Sequence, residues 1–270
     1  MTEFLSSLSQ PFMLRALIVG TVISVCAALL GVILVLKRYA LIGHGLADIG
    51  FASLSLAIAL GWSPLYVSMP IVAVASFAIM LISQKSGGNG DTAIGVVSTG
   101  ALSVGIIITY LAGGMNVDVY SYMFGSILGT TDADLYLSIP LGLVVIAAFI
   151  LLYNRLFMVT YDEVYAKACG INVTLYQFFI SLLTAITVVI GMRMMGTLLI
   201  ASLIIFPALI SKRLVRSFKS VVVVSSFVSV ICFLIGLVLS FFLDLPVGAS
   251  IVAVNMLALL IAAVISKVKN

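Results

Sequence analysis

Long runs of apolar residues, separated by short polar segments, make up most of the chain. Nine of these runs reach the roughly 20 residues that a helix needs to cross about 30 Å of hydrocarbon. The pattern therefore predicts an all-α, polytopic bundle of about nine transmembrane helices, at about 12–36, 41–61, 65–83, 92–112, 135–153, 174–192, 194–211, 220–243 and 248–265.

The composition places the whole chain in a membrane. Of its 270 residues, 63% are hydrophobic and only 8% are charged, and the mean hydropathy is +1.35. A soluble fold of this length does not tolerate such a surface. The first residues, MTEFLSSLSQPF, lack the basic start and the small-residue cleavage site of a signal peptide, so the first run is expected to remain as a span. We therefore predict one transmembrane domain over residues 1–270.

The basic residues give the orientation. Most of the 13 Lys and Arg residues fall in alternate loops, which the positive-inside rule assigns to the cytoplasm. The N-terminus is then outside and the C-terminus inside, although Arg15, near the start of the first span, leaves eight or ten crossings as alternatives. The basic residues form no stripe, so no nucleic-acid partner is expected. The inner basic residues are Lys37, Arg38, Lys85, Arg155, Lys167, Lys212, Arg213, Arg216, Lys219, Lys267 and Lys269.

Two segments between spans have a character of their own. The first, 113–134, is too polar to span and interleaves Tyr120, Tyr122 and Phe124 with polar residues, so we expect it to lie flat on the outer surface. The second, 155–172, is part of the longest inner loop. Its core, DEVYAKACG, predicts a short amphipathic helix that ends at Gly170. A surface helix of this kind needs a partner protein or the bilayer.

The segment LIGHGLADIG, residues 41–50, contains the only histidine of the chain and an aspartate four residues later. His44 and Asp48 share one helix face at this spacing. An ionised Asp within the membrane costs about 2.5–3.5 kcal/mol, so Asp48 must face protein, water or a cation. Imidazole and carboxylate together suit Zn(II), Mn(II) or Fe(II). Two ligands are too few for a structural metal site, but a transit site must release its ion.

Two other interpretations of the pair remain open at this point. His44 and Asp48 can form a structural hydrogen bond that holds two helices together, or they can relay protons, because His titrates near neutral pH. The cysteines add no metal chemistry. Cys26 and Cys232 lie in apolar runs and Cys169 in a polar loop, which fits neither a disulfide framework nor a metal-binding spacing.

Six segments of the chain, in the same order, resemble the integral permease subunits of bacterial ABC importers for zinc, manganese and iron. The resemblance implies the type II ABC importer permease fold, a multi-pass location in the bacterial cell (inner) membrane, and import of Zn(II), Mn(II) or Fe(II) as substrate. It also implies three protein partners: a cytoplasmic ATP-binding subunit, an extracytoplasmic metal-binding protein and a second copy of the chain. The segments are LVLKRYALIGHGLADIGFASLSLA, DTAIGVVSTGALSVGIII, NVDVYSYMFGSIL, YDEVYAKACGI, GMRMMGTLLIASLIIFPALIS and LPVGASIVAVN.

In this family the segment around the pair typically has the form LIGDxLxHA, with an Asp and, four residues on, a His on the metal path. Here the order is exchanged, with His44 at the Asp position and Asp48 at the His position. The ligand types and the spacing of four residues are retained, so the resemblance implies that both residues are metal ligands. It further implies that a cytoplasmic coupling helix contacts the ATPase through Asp162, Glu163, Ala166, Ala168 and Gly170.

The chain carries no GxxxxGK[ST] motif, so energy is expected from the separate ATPase subunit. The permease itself is then no enzyme and holds no permanent cofactor. An alternative is a proton-coupled secondary cation transporter, but no inverted hydropathy repeat is evident. An intramembrane hydrolase is disfavoured because GxSG, HExxH and paired catalytic Asp motifs are missing from the sequence.

Overall fold

The computed structural model describes residues 11–85, 90–113 and 132–269, and every regular element in these ranges is a helix. The helices pack as one bundle, and we number them in chain order. They are α1 (Pro11–Leu36), α2 (Ile42–Ala59), α3 (Pro64–Lys85), α4 (Gly90–Leu111), α5 (Asp132–Tyr161), α6 (Glu163–Ala168), α7 (Val173–Met195), α8 (Thr197–Leu214), α9 (Phe218–Leu243) and α10 (Val247–Lys269).

Nine of the helices in these described ranges, all except α6, are long and apolar enough to cross a membrane. Each coincides with one of the predicted spans, so the all-α membrane fold and the predicted number of spans are confirmed for this part of the chain. The protein is a multi-pass membrane protein.

The bundle has a buried centre and an exposed periphery. In the most apolar 18-residue stretch of α1, 78% is buried inside the protein. In the corresponding stretch of α4, the buried share is 22%. Helix α1 packs against α5, α7, α8 and α9. It is apolar on all sides, which is the composition expected of a helix surrounded by protein. Its residues Leu30 and Ile33 are among the most buried large side chains of the described residues.

A glycine allows the central helix α1 to approach its neighbour α8 closely. A Cβ atom at Gly31 would overlap the backbone carbonyl oxygen of Ile204. Because only glycine lacks that atom, this position sets the separation of the two helices. Helix α8 is thereby fixed against α1, and it also packs on the start of α2 through Gly43 and Ile204.

Helix α5 is longer than predicted. The prediction placed the end of the span at 153, but the helix continues to Tyr161. Leu156 and Val159 in the added turns are buried, whereas Arg155 is exposed, so the polar residues that indicated a helix end lie on the outer face of a continuing helix. The first seven residues of the predicted coupling segment, 155–172, therefore belong to α5.

The predicted outer segment, 113–134, lies largely outside the described residues, which resume at Asp132. Its last residues, 132–134, form the first turn of α5 and so are helical, unlike the surface segment that was predicted. The position of the rest of this segment stays a prediction.

Candidate functional site

His44 and Asp48 lie on the first two turns of α2. His44 Nε2 is 3.7 Å from Asp48 Oδ2, as the spacing of four residues predicts. The two side chains differ in exposure: that of His44 is 55% exposed in the single chain and that of Asp48 is 10% exposed. Asp48 is six residues into the helix from Ile42, about 9 Å along the axis at 1.5 Å per residue. The half-exposed imidazole therefore lies near the start of α2, and the buried carboxylate lies one turn further along the helix.

Ser98 of α4 is the second partner of Asp48. Its hydroxyl donates a hydrogen bond to Asp48 Oδ2, the same oxygen that faces His44. Ser98 is itself buried. The hydroxyl is neutral, so it fixes the position of the carboxylate without balancing its charge. The sequence analysis did not predict Ser98. A serine within an apolar membrane-spanning run needs a hydrogen-bond partner, and this was the signal that could have identified it.

Small residues bring α2 and α4 together around this bond. A Cβ atom at Gly105 would lie 2.9 Å from the Cα of Ala52, and Thr109 donates a hydrogen bond of 3.0 Å to Ser55 Oγ. Residue numbers rise together along the two helices, so α2 and α4 run parallel, with α3 joining them. Such close contacts with shared hydroxyl groups are typical of helix pairs inside membranes. Asp48 is therefore enclosed on the α4 side, and the half-exposed side chain of His44 lies next to it.

The site offers one imidazole nitrogen, one carboxylate and one hydroxyl. Within the described part of the chain, no group of three or more His, Cys, Asp or Glu residues could hold a metal ion. A divalent cation at His44 and Asp48 would keep water or take ligands from elsewhere. Such a shell is open, as a site through which an ion passes requires. The metal role of this pair stays a prediction.

The predicted coupling helix is present as α6, six residues long. Asp162 Oδ1 accepts hydrogen bonds from the backbone N–H groups of Val164 and Tyr165, both of 2.9 Å, and so caps the N-terminus. At the other end Gly170 has a φ of +76°, and the N–H of Ile171 bonds to the carbonyl of Ala166. This is a Schellman motif, which terminates the helix at the predicted glycine.

The predicted coupling residues lie together on this segment but have different surroundings. Ala166 is fully buried, Ala168 is exposed, and Glu163 turns inward, where its carboxylate contacts Lys37. The side chains with the largest outward surface are Val164 and Tyr165, which sequence reasoning did not single out. The thiol of Cys169, directly after α6, is also exposed. The docking role of this segment stays a prediction.

Nine helices within the described ranges are long and apolar enough to span a membrane, so the chain is of the class of multi-pass membrane proteins. The chain belongs to the ABC 3 transport family, whose sequence pattern it matches over residues 9–266. The resemblance described above is thereby confirmed, and so is the function class, a membrane permease of an ABC transporter.

Individual relatives agree with this assignment. The chain is 28% identical to the manganese import system permease protein ScaB of Streptococcus parasanguinis, over 97% of this chain and 93% of that protein. It is 30% identical to the high-affinity zinc uptake system membrane protein ZnuB of Haemophilus influenzae, over 88% and 91% of the two chains. Its fold matches the structure of PsaBC from Streptococcus pneumoniae in complex with Fab, with a TM-score of 0.85, 27% identity, and coverage of 97% and 94%.

Proposed function

We propose that this chain is the permease subunit of an ABC importer that moves a divalent transition metal ion, Mn(II), Zn(II) or Fe(II), into the cytoplasm. The observation that carries the proposal is the His44–Asp48 pair, with one half-exposed nitrogen ligand beside a buried carboxylate whose only described partners are neutral or titratable. The named relatives that import manganese and zinc support the choice of cargo.

The carboxylate of Asp48 supplies the attraction for the cation in this mechanism, and His44 supplies the ligand that selects a transition metal over Mg(II). Ser98 holds the carboxylate in place, so no rearrangement is needed as the ion arrives. Because the chain contributes few ligands, the ion remains partly hydrated and leaves readily. This favours conduction over storage.

A second copy of the chain completes the pathway in our proposal. The support comes from α4, which leaves small and polar residues such as Thr99 and Ser103 exposed although it is a membrane-spanning helix. Faces of this composition are typical of contacts between membrane helices. Because α4 also carries Ser98, a second copy against it would bring two His–Asp pairs towards one pathway and raise the number of available ligands.

The energy comes, in the same proposal, from a separate ATPase subunit on the cytoplasmic side, and the permease catalyses no reaction. The ATPase docks on the outward face of α6. Val164 is 80% exposed and Tyr165 is 59% exposed there, so the two neighbouring side chains offer apolar surface to a partner. The metal arrives from an extracytoplasmic binding protein.

The test is uptake into vesicles that contain the permease and its ATPase, with ATP enclosed and the metal-binding protein added outside. We expect ATP-dependent uptake of at least one of Mn(II), Zn(II) and Fe(II). Asp48→Asn should abolish this uptake while the complex still assembles, because Asn keeps the bond to Ser98 and loses the charge. The matched control is Asp244→Asn, an exposed position with left-handed backbone that Asn tolerates well.

One outcome contradicts the importer assignment, and another contradicts only the role of Asp48. Uptake that follows a proton gradient and ignores ATP would establish the proton-coupled transporter instead. ATP-dependent uptake that Asp48→Asn leaves at the parental rate would remove Asp48 from the metal path and retain the importer.

A further inference from the structure

Glu163 joins three elements on the side of the bundle where α1 ends and α2 begins. Its Oε1 atom lies 2.8 Å from the ammonium of Lys37, which directly follows α1, and accepts a hydrogen bond of 2.9 Å from the side-chain amide of Gln177 in α7. The side chain of Lys37 is only 5% exposed. One carboxylate oxygen of α6 is therefore fixed to the α1–α2 connection and to α7 at once.

The connection that carries Lys37 is short and held in one shape. Arg38 has a φ of +62°, a left-handed conformation that is unfavourable for a long side chain such as arginine. The N–H of Tyr39 bonds to the carbonyl of Leu34, and the N–H of Ile42 bonds to the carbonyl of Tyr39. The chain therefore passes from the end of α1 into the first turn of α2 without a flexible stretch. A displacement of Lys37 must move the start of α2, where His44 lies.

Separation of the Lys37–Glu163 ion pair would leave a buried ammonium without this carboxylate. Burial lowers the pKa of Lys37 below its ordinary value, and the Glu163 carboxylate acts against that shift by favouring the charged ammonium. No other polar contact of this ammonium is formed within the described part of the chain. An ammonium left buried without its partner would be poorly solvated, so α6 and Lys37 are expected to move together.

The two faces of α6 thus have different neighbours. Val164 and Tyr165 point outward, whereas Glu163 and Ala166 point into the protein. A partner that pushes or pulls on the outward face acts on the inward face as well, because a single helical turn of well-capped backbone separates them. The inward contact leads to the α1–α2 turn, which lies directly before the metal-site helix.

We propose that the Lys37–Glu163 ion pair transmits the movement of α6 to the start of α2, and so couples the nucleotide state of the ATPase to the His44–Asp48 pair. Neither residue belongs to the proposed metal site, so both act as positioning residues. Gln177 orients the carboxylate and makes α7 part of the same unit. The inference rests on the proposed function, because it requires an ATPase at α6 and an ion at α2.

The test uses the complete importer in vesicles and measures metal uptake per ATP hydrolysed. In Lys37→Met and in Glu163→Gln we expect this ratio to fall about tenfold, within the range that coupling between two sites usually spans. Binding of Mn(II) to the nucleotide-free complex should stay at the parental affinity. The exchanged pair, Lys37→Glu with Glu163→Lys, should restore most of the ratio, because the Gln177 amide can turn its oxygen toward the new lysine. Lys219→Met, an exposed lysine at the start of α9, is the matched control.

The outcomes separate this inference from the proposed function. If the parent complex shows no ATP-dependent uptake, the importer assignment fails first. If the parent transports and the single variants keep the parental ratio, the ion pair is only structural and the inference is overturned, whatever the change in melting temperature. Where a single variant fails to assemble with its ATPase, the exchanged pair decides, since restored assembly and restored ratio support the inference and failure to restore either one rejects it.

Discussion

The carboxylates of Asp48 and Glu163 are both held in place by neighbouring helices, but their charges are treated differently. Asp48 receives a hydrogen bond from the neutral hydroxyl of Ser98 and lies beside a histidine. Glu163 is paired with the ammonium of Lys37 and receives a further bond from Gln177. Among the described residues, Asp48 is held by a hydroxyl and lies beside an imidazole, whereas Glu163 is held by a lysine ammonium and an amide.

This difference suits Asp48 to binding of a cation and Glu163 to transmission of movement between structural elements. A carboxylate that already has a protein cation gains little from a second one, so Glu163 is suited to link structural elements. A carboxylate fixed by neutral donors keeps its full attraction for a passing ion. The contrast also explains why a sequence pattern of acidic residues cannot by itself separate a metal ligand from a structural residue in this chain.

The strongest way to break the comparison is to give Asp48 a permanent cation. His44→Lys places an ammonium four residues away, and the exposure of this position leaves room for it. Unit charges about 4 Å apart interact by about 4 kcal/mol at the effective dielectric of a protein surface, so we expect about a thousandfold loss of metal affinity. Equilibrium binding of Mn(II) to the purified complex measures this.

The control at the same position is His44→Gln, which removes the imidazole but adds no charge. It should weaken binding far less than His44→Lys does. Equal losses in the two variants would mean that the charge of Asp48 does not attract the ion, and the contrast with Glu163 would not hold.

A second change loosens the geometry of Asp48 and leaves its charge intact. Ser98→Ala removes the hydroxyl that fixes Oδ2. Loss of a group that orients a metal ligand typically lowers metal affinity about 10–100-fold, so we expect an effect in that range. Ser226→Ala is the matched control, because its hydroxyl bonds to the carbonyl of Val222 within α9, away from the site. Mn(II) affinity that is equal in the two variants would show that Ser98 plays no part in the site.

The smallest expected effect concerns the helix that presents Glu163. Gly170→Val forces a branched residue into a left-handed conformation, at a cost of about 1–2 kcal/mol, and should displace the end of α6. We expect a lower ratio of metal uptake to ATP hydrolysis with unchanged Mn(II) affinity at the resting complex. Gly170→Asn, which accepts this backbone better, should lie close to the parent. A drop in Mn(II) affinity would show that the two carboxylates are not independent.

The sequence was sufficient to predict the spans, because the length and apolarity of each run are local properties. The extent of α5 was not predictable in this way. Arg155 interrupts the apolar pattern, and only the packing of Leu156 and Val159 against the bundle shows that the helix continues. Helix ends that depend on contacts with distant segments leave no local signal.

The site shows the same division between local and distant information. The approach of His44 to Asp48 follows from a spacing of four residues, and Gly170 ends α6 as its residue type predicts. The bond from Ser98 to Asp48 and the ion pair of Lys37 with Glu163 join residues on separate structural elements, and no pattern in one sequence links them. From the sequence, Lys37 only indicated which loops are cytoplasmic, whereas the structure shows that its side chain is buried.

The exposed thiol of Cys169 gives the chain a built-in attachment point for a reporter group. Cys26 and Cys232 are buried within the bundle, so a thiol-reactive fluorophore should modify Cys169 in preference to both. The label would sit immediately after α6, beside the outward side chains of Val164 and Tyr165. Binding of the ATPase, and each change in its nucleotide state, could then be followed as a change in emission from the natural sequence, with no engineered cysteine and no deletion of others.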